Sequence, residues 1–288
     1  MSGHEVTCPP PRGRFAPSPT GPLHPGSLVT AVASYLDAKS RPEGEWIVRI
    51  EDLDTARSMP GAASAILRSL EAHGLAWDGP VVTQSERTAL YRETLDRIGP
   101  VAYPCACSRR DSGARYPGTC RAGIGLGRTA RVWRVRVPPE PIVFEDRMLG
   151  SAAENLEETC GDFVVLRADG LFAYQLAVAA DDIDQGVTDV VRGRDLLDST
   201  ARQVYLYRLL KVPVPSYLHV PLVCNETGEK LSKQTLAPAL DGSKPGDNLW
   251  KALEFLKQDP PRALYGAPAA ELVTWGLKNW RVSPGMWY

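Results

Sequence analysis

The chain has 288 residues and a formal net charge of −1. Hydrophobic residues make up 43% and charged ones 23%, the composition of an ordinary globular protein, and no apolar run approaches the roughly 20 residues of a membrane-spanning helix. The charge balance excludes a global basic field, so a polyanionic partner has to be met by a local patch.

Residues 1–12 are polar and proline-rich with no apolar stretch. That excludes a signal peptide and predicts a disordered tail on a cytoplasmic protein. Residues 13–16 read as a short strand that runs into a Pro/Gly-rich loop, 17–26. The stretch 27–39 reads as a helix, with Leu28, Val32, Tyr35 and Leu36 at helical spacing. A compact apolar strand, 46–50, follows and ends in the acidic turn Glu51-Asp52-Leu53-Asp54. Pro60 opens a second helix that stops near Gly74. This order predicts parallel βαβ units and a doubly wound α/β domain whose first half is 13–100.

The alternation breaks near Val101. Residues 101–131 are rich in Cys, Gly and Arg with little periodicity, which predicts an inserted lobe. The second half of the domain is expected over 132–236. It comprises strands at 132–137 and 163–167, a buried apolar stretch at 171–179 and a helix at 198–210. A strand at 217–223 and a polar, lysine-bearing loop at 225–236 complete it. Residues 237–288 are expected to hold short helical pieces such as 249–256.

Charge is distributed unevenly. Arg109, Arg110, Arg115, Arg121, Arg128, Arg131, Arg134 and Arg136 stand against one acid, Asp111, and from Glu140 to Asp162 seven acids face only Arg147. The run is either a solvated arginine-rich surface or a phosphate-facing patch. At its start and within it lie Cys105, Cys107, Tyr116 and Cys120, three thiols and a phenol inside sixteen residues, while Cys8, Cys160 and Cys224 stand apart. In a chain read as cytosolic, such a cluster argues for metal before disulfide. A closed four-coordinate set suits structural Zn²⁺ and leaves no open position for a catalytic water; three cysteines with a tyrosine are an unusual set, and an accidental cluster of cysteines in an apolar lobe is the alternative reading.

The most informative segment runs from Arg14 through Phe15, Ala16, Pro17 and Ser18 to His24, Gly26 and Ser27. A strand, a glycine-bearing loop and a helix start aim backbone N–H groups and a positive dipole end at an anion above the sheet. His24 adds a donor, and Gly26 removes a side chain where a flat ring can approach. About 200 residues later, Lys230-Leu-Ser-Lys233-Gln234 offers two lysines able to fold over a triphosphate. Each loop alone reads equally well as structure or as solvated surface.

Together, in this order and spacing, they resemble the HIGH and KMSKS motifs of class I aminoacyl-tRNA synthetases. Trp46 to Asp54, Tyr174-Gln-Leu-Ala-Val and Val191-Arg192-Gly-Arg-Asp-Leu further resemble glutamyl-tRNA synthetases. Ser27 stands where HIGH has its second histidine, Gln234 where KMSKS has its last serine, and about 50 residues follow the lysine loop. This combination resembles the short paralogue family that glutamylates queuosine in tRNA(Asp).

The resemblance implies a Rossmann-type doubly wound parallel sheet with an inserted zinc-binding lobe on Cys105, Cys107, Tyr116 and Cys120, and a short helical C-terminal region. It implies activation of L-glutamate by ATP and Mg²⁺ without tRNA, then transfer to queuosine of tRNA(Asp), by a monomer. His24, Gly26, Ser27 and Lys233 are then expected to meet the nucleotide, with Lys230 also catalytic. Arg14, Arg192, Tyr174 and Ser18 are expected around the glutamate carboxylates, beside Phe15, Ala16 and Pro17, and Glu51 at the ammonium. A minimal conventional synthetase that charges the tRNA 3′ end fits most of the same motifs. A small-molecule nucleotidyltransferase leaves Glu51 and Arg192 without a task, and an inactive tRNA-binding module leaves His24 and Lys233 without one.

Overall fold

The computed structural model describes residues 10–223 and 240–287. The chain runs through β1 (Arg12–Phe15), α1 (Pro25–Lys39), β2 (Glu45–Ile50), α2 (Ala62–Ala72), β3 (Val82–Thr83) and α3 (Thr88–Ile98). It continues with β4 (Ala102–Cys105), α4 (Arg109–Ser112), β5 (Val132–Val135), β6 (Ile142–Asp146), β7 (Gly150–Glu154), α5 (Leu156–Thr159) and β8 (Phe163–Leu166). Then come α6 (Tyr174–Asp184), β9 (Asp189–Gly193), α7 (Leu197–Leu209), β10 (Ser216–Val220), α8 (Pro245–Phe255) and α9 (Ala269–Asn279).

Seven strands form one sheet in the order β3-β2-β1-β9-β10-β6-β7. All neighbours pair in parallel except β6 with β7, a hairpin that closes one edge. Strand alternation divides the core in two. Trp46, Val48, Val191 and Leu218 join one cluster with α1, while Ile47, Val190 and Tyr217 join the other with α3, α6 and α7. That is a sheet covered on both faces, as the βαβ order predicts. β1 has β2 on one side and β9 on the other, so the strand order reverses there and opens a crevice at the carboxyl ends of these strands. Among the described residues no helix is long and apolar enough to cross a membrane.

Two expected boundaries shift. Arg12 belongs to β1 rather than to a tail, because its amide donates to Thr188 Oγ1 (2.8 Å) and its guanidinium to Glu45 and the Gln185 carbonyl. The inserted lobe does not stop at Arg131. β4, β5 and β8 pair antiparallel into a separate three-stranded sheet, so the strands expected in the catalytic half complete the lobe instead. The short helical C-terminal pieces, α8 and α9, pack on α1. Leu249, Leu253, Leu256 and Leu272 lie in the α1 core, and a Cβ on Gly276 would sit only 3.1 Å from the Leu36 methyls, so glycine is what lets α9 approach α1.

Candidate functional site

The crevice holds a cavity of about 470 Å³. Arg14, Phe15, Ala16, Pro17 and Ser18 line it from the end of β1, His24, Gly26 and Ser27 from the start of α1, Glu51 from the end of β2, Tyr174 from the start of α6 and Arg192 from β9. Lys230 and Lys233, with Gln234, lie outside the described residues.

At the α1 end of the cavity, His24 caps the helix and Pro25 occupies its first turn. Nδ1 of His24 accepts the Ser27 amide (3.3 Å), so in the neutral ring the proton sits on Nε2, which meets Ser27 Oγ at 2.9 Å. The histidine thereby turns the serine hydroxyl, while the helix start supplies the positive dipole end.

The opposite end is built on buried charge. Arg14, 3% exposed, donates from Nε to Asp182 (3.3 Å). Arg49, fully buried, reaches Asp182 (2.7 Å), Asp181 (3.6 Å) and Glu51 (3.4 Å) with its guanidinium and Gln185 Oε1 with Nη1 (2.7 Å). Asp181 is satisfied further by Gln84, Arg87 and Tyr91. Burial is tolerated here because every charge in this network has partners. Glu51 is the poorest supplied. Burial pushes its carboxyl up to about 7 against the pull of Arg49 and Arg14. Burial also raises the Tyr174 phenol, with Glu51 adding to the effect.

Arg192 differs from Arg14. It is 3% exposed, and its nitrogens donate to His219 Nε2 (3.0 Å), Gln203 Oε1 (2.6 Å) and Thr200 Oγ1 (2.8 Å). A guanidinium can only donate, so His219 Nε2 accepts and its proton lies on Nδ1, held by Asp146 Oδ2 at 2.7 Å. Burial pulls the His219 pKa down, consistent with a neutral ring. Among the described residues no carboxylate oxygen lies within 4.0 Å of the Arg192 guanidinium. Its position is fixed by neutral acceptors and its charge is uncompensated locally, which is the arrangement of an anion receptor.

Sequence reasoning overlooked Asp181, Asp182, His219, Gln203 and Thr200. Two adjacent acids inside the apolar run 176–183 are a readable signal, because buried carboxylates require cations. Nothing local marks His219.

In the lobe, the Sγ atoms of Cys105, Cys107 and Cys120 lie within 4.8 Å of one another, all buried, and can hold a metal ion. Cys107 and Cys120 are 3.7 Å apart, and the Tyr116 hydroxyl stands 3.3 Å from Cys105 and 3.8 Å from Cys107. A Zn–S bond of about 2.3 Å gives a tetrahedral edge of about 3.8 Å, so the donor spacing fits that ion. Burial pushes the Cys105 thiol up, but the Tyr116 hydroxyl, the Cys107 amide and Arg134 together bring it down to about 7. Gly161 lets the chain pass: a Cβ there would lie 2.2 Å from the Tyr116 carbonyl.

The arginine run is partly consumed by this scaffold. Arg121 forms a fork with Asp162 (2.7 Å to each oxygen), and Arg134 donates to the Asp162 carbonyl and lies 3.8 Å over the Tyr116 ring. Those two arginines are structural.

Residues 12–111 and 126–247 match the family of tRNA synthetases class I (E and Q), catalytic domain. The chain is 54% identical over 281 residues to a glutamyl-Q tRNA(Asp) synthetase of Thiobacillus denitrificans, covering 94% of this chain and 93% of that protein. Among solved structures it resembles a glutamate tRNA ligase of Elizabethkingia meningosepticum in complex with its amino acid, at 30% identity and TM-score 0.70. That match covers 78% of this chain and spans about half (52%) of the ligase. A glutamate-tRNA synthetase of Elizabethkingia anophelis superposes at TM-score 0.78 and 25% identity, over 95% of this chain and 68% of that one.

Proposed function

This chain belongs to the class I tRNA synthetases for glutamate and glutamine, and within them to the glutamyl-Q tRNA(Asp) synthetases, and we propose on that premise how its residues carry the reaction. It activates L-glutamate with ATP and transfers the glutamate to the queuosine base in the anticodon of tRNA(Asp). The observation that carries the reading is a single cavity that joins a helix start to a buried guanidinium, Arg192, with no carboxylate oxygen within 4.0 Å among the described residues.

In the first step an α-carboxylate oxygen of glutamate attacks the α-phosphorus of ATP, and the bond to pyrophosphate breaks. The carboxylate is already ionised at neutral pH, so no general base is needed. Catalysis is therefore positioning and charge neutralisation. The N–H groups at the start of α1, the Ser27 hydroxyl turned by His24, and Lys230 and Lys233 serve the phosphates. Mg²⁺ bound with ATP offsets part of their charge. Arg192 receives a glutamate carboxylate with Tyr174 beside it, Arg14 acts from the end of β1, and Glu51 pairs with the ammonium. In the second step the acceptor group on queuosine attacks the acyl carbon and AMP leaves. Zn²⁺ held by Cys105, Cys107, Cys120 and Tyr116 is structural, because four protein donors leave no position for substrate.

The ammonium requires ionised Glu51, whereas the ligand-free carboxyl binds a proton below about 7. The sign follows: glutamate binding releases that proton, so affinity weakens by about tenfold for each pH unit below 7 and levels off above about pH 8. Calorimetric titration with glutamate between about pH 5.5 and 8.5 measures this, and Glu51→Gln is expected to bind weakly with no such limb. A wild-type affinity independent of pH below 7 removes Glu51 from the ammonium.

Labelled glutamate and ATP offered to queuosine-containing and queuosine-lacking tRNA(Asp) test the acceptor. Label is expected only on the queuosine-containing RNA. Equal labelling of both overturns the reading in favour of 3′-end charging.

A further inference from the structure

A second cavity, of about 800 Å³, opens on the lobe away from the residues of the glutamate site. Val132 of β5 and Val164 of β8 give it apolar walls, and the metal-site residue Cys107 borders it. Arg110, Arg131, Arg134 and Arg167 line it against one acid, Asp169. These four arginines have different standing. Arg134, 7% exposed, is fastened to the Asp162 carbonyl and to Ser112 Oγ (2.7 Å each) and meets no carboxylate oxygen within 4.0 Å among the described residues. Arg167 shares Asp169 at 2.6 Å. Arg110 and Arg131 are exposed, again with no carboxylate within 4.0 Å among the described residues.

Around one groove, then, Arg110, Arg131 and Arg134 meet no carboxylate oxygen within 4.0 Å among the described residues, Arg134 facing the Cys105 thiol and Arg131 acting on Asp111 only at longer range. Like charges gathered on a low-dielectric wall repel one another, and the arrangement is favourable when an anion with several charges enters. Its size exceeds that of the amino-acid cavity, and guanidinium planes above an apolar floor suit a chain that alternates phosphates with flat rings. The groove also draws on chain outside the shared catalytic domain. Gly113, which lines it, and the lobe donors Tyr116 and Cys120 fall in residues 112–125, which the family match passes over.

We propose that this groove seats the sugar–phosphate backbone of the RNA substrate, with Arg110 and Arg131 as its phosphate donors, Arg134 as a fixed wall and Arg167, which the exposed Asp169 holds, joining them only where a phosphate displaces that acid. Arg121, spent on Asp162 and Glu157, takes no part. The inference rests on the reading of the chain as a tRNA(Asp)-modifying enzyme and deepens it by naming where the RNA lies.

The test is the affinity of the zinc-loaded enzyme for queuosine-containing tRNA(Asp) between about 50 and 200 mM salt. Arg110→Gln/Arg131→Gln is expected to weaken binding on the order of 10- to 100-fold, through loss of two charge-assisted contacts. The slope of log affinity against log salt should fall in magnitude by about 1.4 to 1.8, or 0.7 to 0.9 per phosphate lost. Arg110→Lys/Arg131→Lys keeps the charges and should keep the slope. Arg97→Gln, which removes an exposed charge from α3, should change neither quantity. Should the glutamine pair lose its zinc, Arg131→Gln alone is measured instead, with a slope change of about half that size. Affinity within twofold of wild type and an unchanged slope, in a variant that retains zinc, overturn the proposal. If the wild-type enzyme labels no queuosine-containing tRNA(Asp), the functional reading fails, and that result is separate from the groove variants.

Discussion

Arg192→Leu is expected to raise the glutamate KM of ATP–pyrophosphate exchange by about 30- to 4,000-fold while changing the KM for ATP by less than about threefold. The range follows from the loss of one partner in a desolvated charge pair, about 2–5 kcal/mol. Arg14 cannot substitute, because its charge is already shared with Asp182. Arg192→Lys should recover little. A single ammonium cannot meet His219, Gln203 and Thr200 at their present positions and still present a planar fork to a carboxylate. Pyrophosphate exchange without RNA, run over a glutamate series, isolates this step from the acceptor. A glutamate KM within threefold of wild type in a variant with an unaltered melting midpoint would falsify the assignment of Arg192 as the carboxylate receptor.

The same residue shows what a sequence can carry. Arg192 could be singled out because it sits in a short motif at the end of a strand, and its neighbours in sequence announce it. The partners that hold it come from α7, β10 and β6, and a hydrogen-bond chain through Asp146 and His219 has no local signature. The crevice was legible for a related reason. β1, the glycine-bearing loop, α1 and β2 are consecutive, and strand period and helix spacing are properties of contiguous residues. The lobe was legible only in part: β5 and β8 were expected as strands, but β4 and the pairing of all three into a separate sheet were not, since each is four residues long and pairs across gaps of almost thirty. Which sheet such short strands join is decided by their partners, not by their own pattern. The arginine run misled in the same way: charge is visible in a sequence, but whether a carboxylate such as Asp162 neutralises it is not. Arg121 accordingly passes from a candidate RNA contact to a brace of the lobe.

Cys107→Ser, or exhaustive chelation of the wild-type protein, is expected to abolish the binding of one zinc per chain and unfold the metal-bearing end of the lobe, residues 105–131, while the Rossmann sheet and the lobe strands persist. The reason is how little else that end buries. Tyr103, Cys105, Cys107, Tyr116 and Cys120 form its cluster, with Val132 packed against it, so four of the five buried members are the proposed metal donors. Ala102, Val135, Phe163 and Val165 of the lobe strands pack instead into the core shared with α3, α6 and α7. So small a cluster at the metal-bearing end cannot offset the chain entropy of ordering that end, roughly 1–2 kcal/mol per residue for the backbone alone. Structural zinc sites contribute about 10–16 kcal/mol near neutral pH, enough to decide whether such a unit is folded. The catalytic sheet rests on two larger cores, one built on α1 and one on α6 and α7 that also takes in the lobe strands, so it should keep its amide protection and its glutamate-dependent exchange. Hydrogen exchange read separately over 105–131 and over β1, β2 and β9, with metal content measured on the same samples, distinguishes the outcomes. Amides of 105–131 that stay protected in the metal-free protein would show that packing alone holds that end together. Loss of protection confined to that end, together with loss of RNA affinity, would tie the metal to the surface that receives the tRNA.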